Sequence, residues 1–214
     1  MEGYMRKEGK AENNFIQVAG ELGDKFTYIY TAFGKKYYEI SVKVPRLSGE
    51  IDEVITRVSE SCCNTLRNIA GNYVQITGQL RVYPKEADGH KSALLRVYAK
   101  ELQVIPPCTA ETNQVILIGF ICKPPVYRTT PLNRKITDLI VAVNRQYGKT
   151  DYVPCICWGK TALSASRKKV GDPVQIVGRM QSRKYIKRYP DHEKEMVAYE
   201  VSVVQLFDSE DKAN

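Results

Sequence analysis

The feature that most constrains this chain is that it repeats itself. Asn14-Phe-Ile-Gln-Val-Ala-Gly20 and Asn113-Gln-Val-Ile-Leu-Ile-Gly119 share the pattern Asn-x-apolar-x-apolar-x-Gly at an offset of 99 positions. At the same offset, Val44-Pro-Arg46-Leu-Ser-Gly49-Glu-Ile-Asp52-Glu-Val54 lies over Val143-Asn-Arg145-Gln-Tyr-Gly148-Lys-Thr-Asp151-Tyr-Val153. Val, Arg, Gly, Asp and Val recur together. Val74-Gln-Ile-Thr-Gly78 matches Val174-Gln-Ile-Val-Gly178 at an offset of 100, and Leu102-Gln103 aligns with Val204-Gln205 at 102. A self-similar period near 100 residues means two copies of one compact unit, with the drift in offset absorbed by loops.

Each copy is written in short alternating runs, such as Tyr38 to Val44 and Leu139 to Val143, which read as half-buried strands. One helical stretch precedes each Val-Gln-Ile strand. In the second copy it runs from Lys160 to Val170 and stops at Gly171-Asp-Pro173; in the first it is Asn64 to Ala70, ending at Gly71. Five strands and a helix in about 100 residues suit a closed or nearly closed barrel, which leaves few free strand edges. The expected organisation is a disordered N-terminus over residues 1–12, a first domain over 13–105, a linker over 106–112, a second domain over 113–207 and a short acidic tail over 208–214. The linker boundary rests on Pro106-Pro107-Cys-Thr-Ala-Glu-Thr112, a stiff connector composition.

Composition and motifs exclude several functions. The 32 Lys and Arg against 24 Asp and Glu give a net charge of +8, which favours a polyanionic partner. The apolar runs are far shorter than the roughly 20 residues of a membrane span, and the polar N-terminus lacks a signal-peptide core, so a cytoplasmic protein is expected. Of the six cysteines, Cys62 and Cys63 are adjacent, Cys155 and Cys157 alternate, and Cys108 and Cys122 stand alone. No CxxC pair occurs, and His90 and His192 are at no zinc-finger spacing from a cysteine, so no metal or other cofactor is expected and the thiols read as reduced and mostly buried. Gly159-Lys160-Thr161 imitates the end of a phosphate-binding loop, but the glycine required five positions earlier is Pro154. Ser166-Arg-Lys-Lys169 has a Ser-x-x-Lys spacing in a basic stretch, and Asp191-His192-Glu193 sits in a polar turn. Neither makes a catalytic constellation, and the chain does not read as an enzyme.

The second copy resembles a known family. Asn113 to Gly119, Pro124 to Leu132, Val141 to Arg145, Tyr152 to Lys160 and Val177 to Tyr185 are similar to the bacterial single-stranded DNA-binding protein family across residues 113–207. The first copy resembles that family faintly, through the repeat. The resemblance implies an all-β chain of two tandem OB-fold five-stranded barrels, each with one short helix. It also implies single-stranded DNA as ligand, no catalysis, and four OB folds per assembly through a homodimer.

The residue types fit that reading. Sequence-independent binding of a single strand needs ring faces for bases and cations for phosphates. Tyr147, Tyr152, Trp158 and Tyr185, on three strand segments, are the expected stacking platforms, with barrel core as the alternative for each since Tyr and Trp bury well. Arg128, Arg145, Lys160, Arg179, Arg183, Lys184, Lys187 and Arg188 are the expected phosphate contacts. Residues 179, 181, 183 and 185 share one strand face as Arg, Gln, Arg and Tyr. In the first copy Ser48 and Glu53 replace Tyr147 and Tyr152, so a weaker site of Lys35, Lys36, Arg46, Arg81 and Tyr83 is expected. Phe33, Lys35, Lys36 and Tyr37 form a further basic-aromatic turn, and of Tyr37 and Tyr38 at least one belongs to the core. The leading expectation is a replication, repair or recombination protein of the nucleoid that binds single-stranded DNA. The alternatives are a primosome-type OB accessory bridging replication proteins, or an interaction scaffold. Asp208, Glu210 and Asp211 form an acidic stub without an apolar tip, which leaves recruitment of replication or recombination proteins by that route in doubt.

Overall fold

The computed structural model describes residues 12–46, 48–62, 71–87, 90–107, 113–188 and 191–208. The first-copy helix expected over Asn64 to Ala70 lies outside them, as do most of the expected N-terminal segment, the linker core and the tail.

Each copy contributes six strands. They are β1 (Asn14–Leu22), β2 (Thr27–Ala32), β3 (Lys35–Pro45), β4 (Ile51–Ser59), β5 (Tyr73–Ala87) and β6 (His90–Val104), followed by β7 (Asn113–Ile121), β8 (Val126–Thr129), β9 (Lys135–Asn144), β10 (Thr150–Trp158), β11 (Pro173–Arg188) and β12 (Glu193–Asp208). In the first copy β1 pairs with β3 and β5, β3 with β4, β4 with β6 in parallel, and β6 with β5, which closes a five-stranded barrel. The short β2 adds to β3 outside the closed ring. β7 to β12 repeat this arrangement, with β8 as the added strand. The alternating apolar residues point inward: Ile16, Val18, Ile40, Val42, Val74 and Ile76 in one barrel, Val115, Leu117, Val141, Val143, Val174 and Ile176 in the other, all buried.

The motif glycines mark where barrel strands cross. A Cβ on Gly20 would stand 2.2 Å from the Lys43 carbonyl oxygen, and one on Gly119 2.3 Å from that of Ala142. These are the points at which β1 meets β3 and β7 meets β9. Gly78 and Gly178 sit at equivalent β-bulges, where a Cβ would lie 2.1 Å from the Tyr98 oxygen and 2.4 Å from that of Ser202. Only glycine permits such approach.

Two expectations need correction. The pairing of Val74 with Val104 and of Val174 with Asp208 sets the offset of the last strand at 104, so Leu102-Gln103 corresponds to Leu206-Phe207 and not to Val204-Gln205. Four extra residues in the second copy's β11–β12 hairpin produce the slip. The second-copy helix, α1, spans only Gly159–Ala165. Past Ser166 the backbone bonds tighten to three-residue spacing, Arg167 N–H to Ser164 and Lys168 N–H to Ala165, and the Asp172 carboxylate accepts the Lys169 N–H at 2.8 Å. That side chain draws the segment into a turn before Gly171 can act as a helix stop.

The two barrels form one twelve-stranded sheet because β1 pairs antiparallel with β7. Asn14 faces Leu117, Val18 faces Asn113, and Ile16 faces its own repeat partner Val115, so a pseudo-twofold axis passes between those two residues. The repeated asparagines extend the ladder between neighbouring strands in each barrel. Asn14 gives its Nδ2 to the Leu80 carbonyl at 2.7 Å and accepts the Leu80 N–H at 2.8 Å; Asn113 does the same with Met180 at 2.7 and 2.9 Å.

Candidate nucleic-acid interface

The pseudo-twofold axis brings the β3–β4 turn of each copy against the long β5-type strand of the other. The Asp52 carboxylate, fully buried, accepts the Ser182 N–H at 2.6 Å and the Ser182 hydroxyl at 3.1 Å. Arg46 closes the contact, donating Nε and Nη2 to Asp52 at 2.7 and 2.6 Å and Nη2 to the Ser182 carbonyl at 3.0 Å. In the mirror contact Asp151 accepts the Val82 N–H at 2.7 Å and is gripped by Arg145 through Nε and Nη2. The hydrogen bonds to Asp52 and Asp151 raise the two guanidiniums above their ordinary value. Arg145, expected as a phosphate contact, and Arg46, expected in the weaker first-copy site, are clamps between the copies: each directs its Nε and Nη2 at a buried carboxylate.

Beside the first clamp an open groove of about 960 Å³ runs along the junction. The second copy supplies Arg134, Trp158, Arg179, Gln181, Arg183, Lys184 and Val197; the first supplies Lys43, Ile51 and Glu53. Alternation explains the placement. On β10 Val153, Cys155 and Cys157 point into the barrel, so Trp158 turns outward, half-buried; on β11 Met180 points inward and Arg179, Gln181 and Arg183 outward. Of the expected site residues, Trp158, Arg179, Arg183 and Lys184 line this one groove. Burial pushes the Cys155 thiol well up and the Cys157 thiol up to about 12. Among the described residues no three His, Cys, Asp or Glu side chains group as metal ligands.

Other expected residues lie elsewhere. Tyr152 is on the same strand as Trp158 but six residues away, about 20 Å at strand rise. Tyr147 occupies a 3-10 turn, not a strand, with φ 69° and 97% exposure. Tyr185 stands exposed on the β11–β12 hairpin with the Arg183 guanidinium 5.8 Å from its ring. Besides Arg145, four more of the second copy's expected cations face carboxylates: Arg128 pairs with Asp138 at 2.7 Å, Arg183 with Glu200 at 3.5 Å, Lys184 with Glu195 at 3.1 Å and Arg188 with Glu193 at 2.9 Å. Lys160 is exposed at the start of α1, and Lys187 is half-buried on the hairpin.

In the first copy the corresponding face is filled by its own side chains. Arg57 lies 3.5 Å over the Tyr83 ring and Arg81 3.7 Å over Tyr98, while Tyr30, Tyr37 and Tyr98 stack in sequence at 5.0 and 6.3 Å. A hydrogen bond to Tyr98, with burial, pushes the Tyr37 phenol up to about 12. Arg57 and Arg96 share the Glu39 carboxylate at 2.8 and 3.2 Å. Lys36 pairs with Glu60 at 3.2 Å, and Lys35 and Phe33 are exposed at the β2–β3 turn. Tyr38 is core, as one of the tyrosine pair was expected to be. Sequence reasoning missed Arg57, Arg96 and Tyr98, although each alternates with inward apolar residues, and it missed Lys43 and Arg134 because they reach the groove from other strands.

The profile of the single-strand binding protein family matches residues 112–207. Single-stranded DNA-binding protein B of Bacillus subtilis strain 168 is 35% identical over 80 residues, covering 34% of this chain and 71% of that protein. The chain belongs to the single-strand binding protein family. The single-stranded DNA-binding protein of Caldanaerobacter subterraneus subsp. tengcongensis is 38% identical over 78 residues, 33% of this chain and 52% of the relative. Single-stranded DNA-binding protein 1 of Lactococcus lactis is 32% identical over 80 residues, 34% of this chain and 53% of the relative, so the chain spans about half the length of these curated relatives. Among solved structures, the wild-type single-stranded DNA-binding protein from Thermus aquaticus superposes with a TM-score of 0.67 at 22% identity, over 91% of this chain and 92% of that one. The tandem OB architecture is therefore that of a known fold, and the family signature sits in the copy that carries the open groove.

Proposed function

We propose that this chain binds single-stranded DNA without reading an extended sequence, chiefly in the junction groove of the second copy. The observation that carries this reading is the outward Trp158 ring beside Arg179, Arg183 and Lys184 in an open channel. Trp158 stacks a base, a contact worth about 1–3 kcal/mol, and the cations follow the phosphates. Tyr185, Lys187 and Arg188 extend the path along the hairpin, while Arg128, Lys160, Tyr147 and Tyr152 stand outside the groove's lining. The first copy contributes less, since Arg57, Arg81, Tyr83 and Tyr98 already stack on one another. Service in replication, repair or recombination follows from coating exposed strands.

A second chain completes four OB folds in this reading. It is supported by the outward row Phe15, Ile116 and Val177 across β1, β7 and β11, next to Ile118 and Phe207.

Titration of Trp158 fluorescence with oligo-dT at several salt concentrations tests the binding. Quenching is expected. Because several cations already face carboxylates, about three or four phosphates are neutralised net, a log-affinity against log-salt slope of about −2 to −3. Absence of quenching, or affinity indifferent to salt, would overturn the reading.

A further inference from the structure

The junction groove is not uniformly cationic. Its first-copy wall carries Glu53, at the position where the second copy has Tyr152. Glu53 is exposed and makes no ion pair among the described residues. Its cross-strand neighbour Lys43 bonds Glu21 at 3.3 Å instead. Its backbone is held in place: the Glu53 N–H donates to the Ser182 hydroxyl at 3.2 Å, and adjacent Asp52 is bolted to Ser182 by the clamp. One wall thus carries a carboxylate anchored at its backbone beside Lys43 and the apolar Ile51, while the other presents guanidiniums and the Trp158 ring.

The charges on the two walls orient a single strand in such a channel. Its phosphates are repelled by Glu53 and drawn to Arg179 and Arg183, which turns the base edges toward the first-copy wall. A carboxylate accepts hydrogen bonds and gives none, so it favours an edge that carries an exocyclic amine, as on cytosine. Thymine offers O4 there, a second acceptor, and is disfavoured. We infer that Glu53 is a specificity-determining residue, giving the groove a preference for amine-bearing bases over thymine. This rests on single-stranded DNA entering the groove.

The test compares Trp158 quenching by oligo-dC and oligo-dT of equal length, about 15 nucleotides, at alkaline pH where cytosine is unprotonated, in the intact chain and in Glu53→Gln. The expected result is oligo-dC binding at least about fivefold tighter than oligo-dT. The Gln amide can donate as well as accept, so E53Q is expected to bind oligo-dT more tightly and bring the ratio near one. Equal affinities in the unsubstituted chain, or a ratio unmoved by E53Q, would overturn this inference and leave the groove as the binding site. Quenching by neither oligonucleotide would overturn the site itself.

Discussion

Arg46 and Arg145 show how far a residue's role depends on what stands opposite it. Both belong to a repeated motif and read as nucleic-acid site residues, yet each is committed to an aspartate that is 0% or 1% exposed and that also holds a backbone N–H of the other copy. Removing one partner of a buried pair strands the other. Asp151→Ala is accordingly expected to cost about 3 kcal/mol in urea unfolding, leaving the Arg145 guanidinium and the Val82 N–H without their acceptor. The Arg–Asp pairing was legible as a repeated spacing; its meaning was not, because Ser182 and Val82 lie 130 and 69 positions away.

At the level of elements, the repeated glycines do more than punctuate strands. Gly119 lets β7 pass under the carbonyl of Ala142 where the barrel closes. A methyl group there meets backbone that cannot rotate away, so Gly119→Ala is expected to lower stability by about 1–3 kcal/mol, measured by thermal or denaturant unfolding. The alternating runs gave β1, β3, β7 and β9 directly, since period two and a buried face go together. The short strands β2 and β8 were missed because they add to β3 and β9 outside the closed ring and have little inward apolar pattern; β8 is exposed throughout. The last strand was aligned two residues out of register because local similarity of Leu-Gln to Val-Gln outweighed a loop insertion that only pairing reveals.

For the whole molecule, pairing of β1 with β7 turns two barrels into one body with two junction faces that are no longer alike. One is open, with the Trp158 ring, Arg179, Arg183, Lys184 and Glu53 along its walls; the other is closed over by stacked tyrosines and arginines. The outward apolar rows on the central strands are expected to seat a second chain, so light scattering should give about twice the 24.3 kDa of one chain. A monomeric mass would overturn the four-barrel assembly while leaving the groove intact.

The amino-acid sequence alone determined that there are two barrels of one fold and which of their strands alternate between a buried and an outward face. These are properties of period and composition, which are local along the chain. Tertiary structure decided which outward side chains share a groove, which arginines are spent on aspartates, and which copy is open. Each of those outcomes depends on strands brought together across a pseudo-twofold axis, and a contact between residues about 100 positions apart leaves no local mark in the sequence.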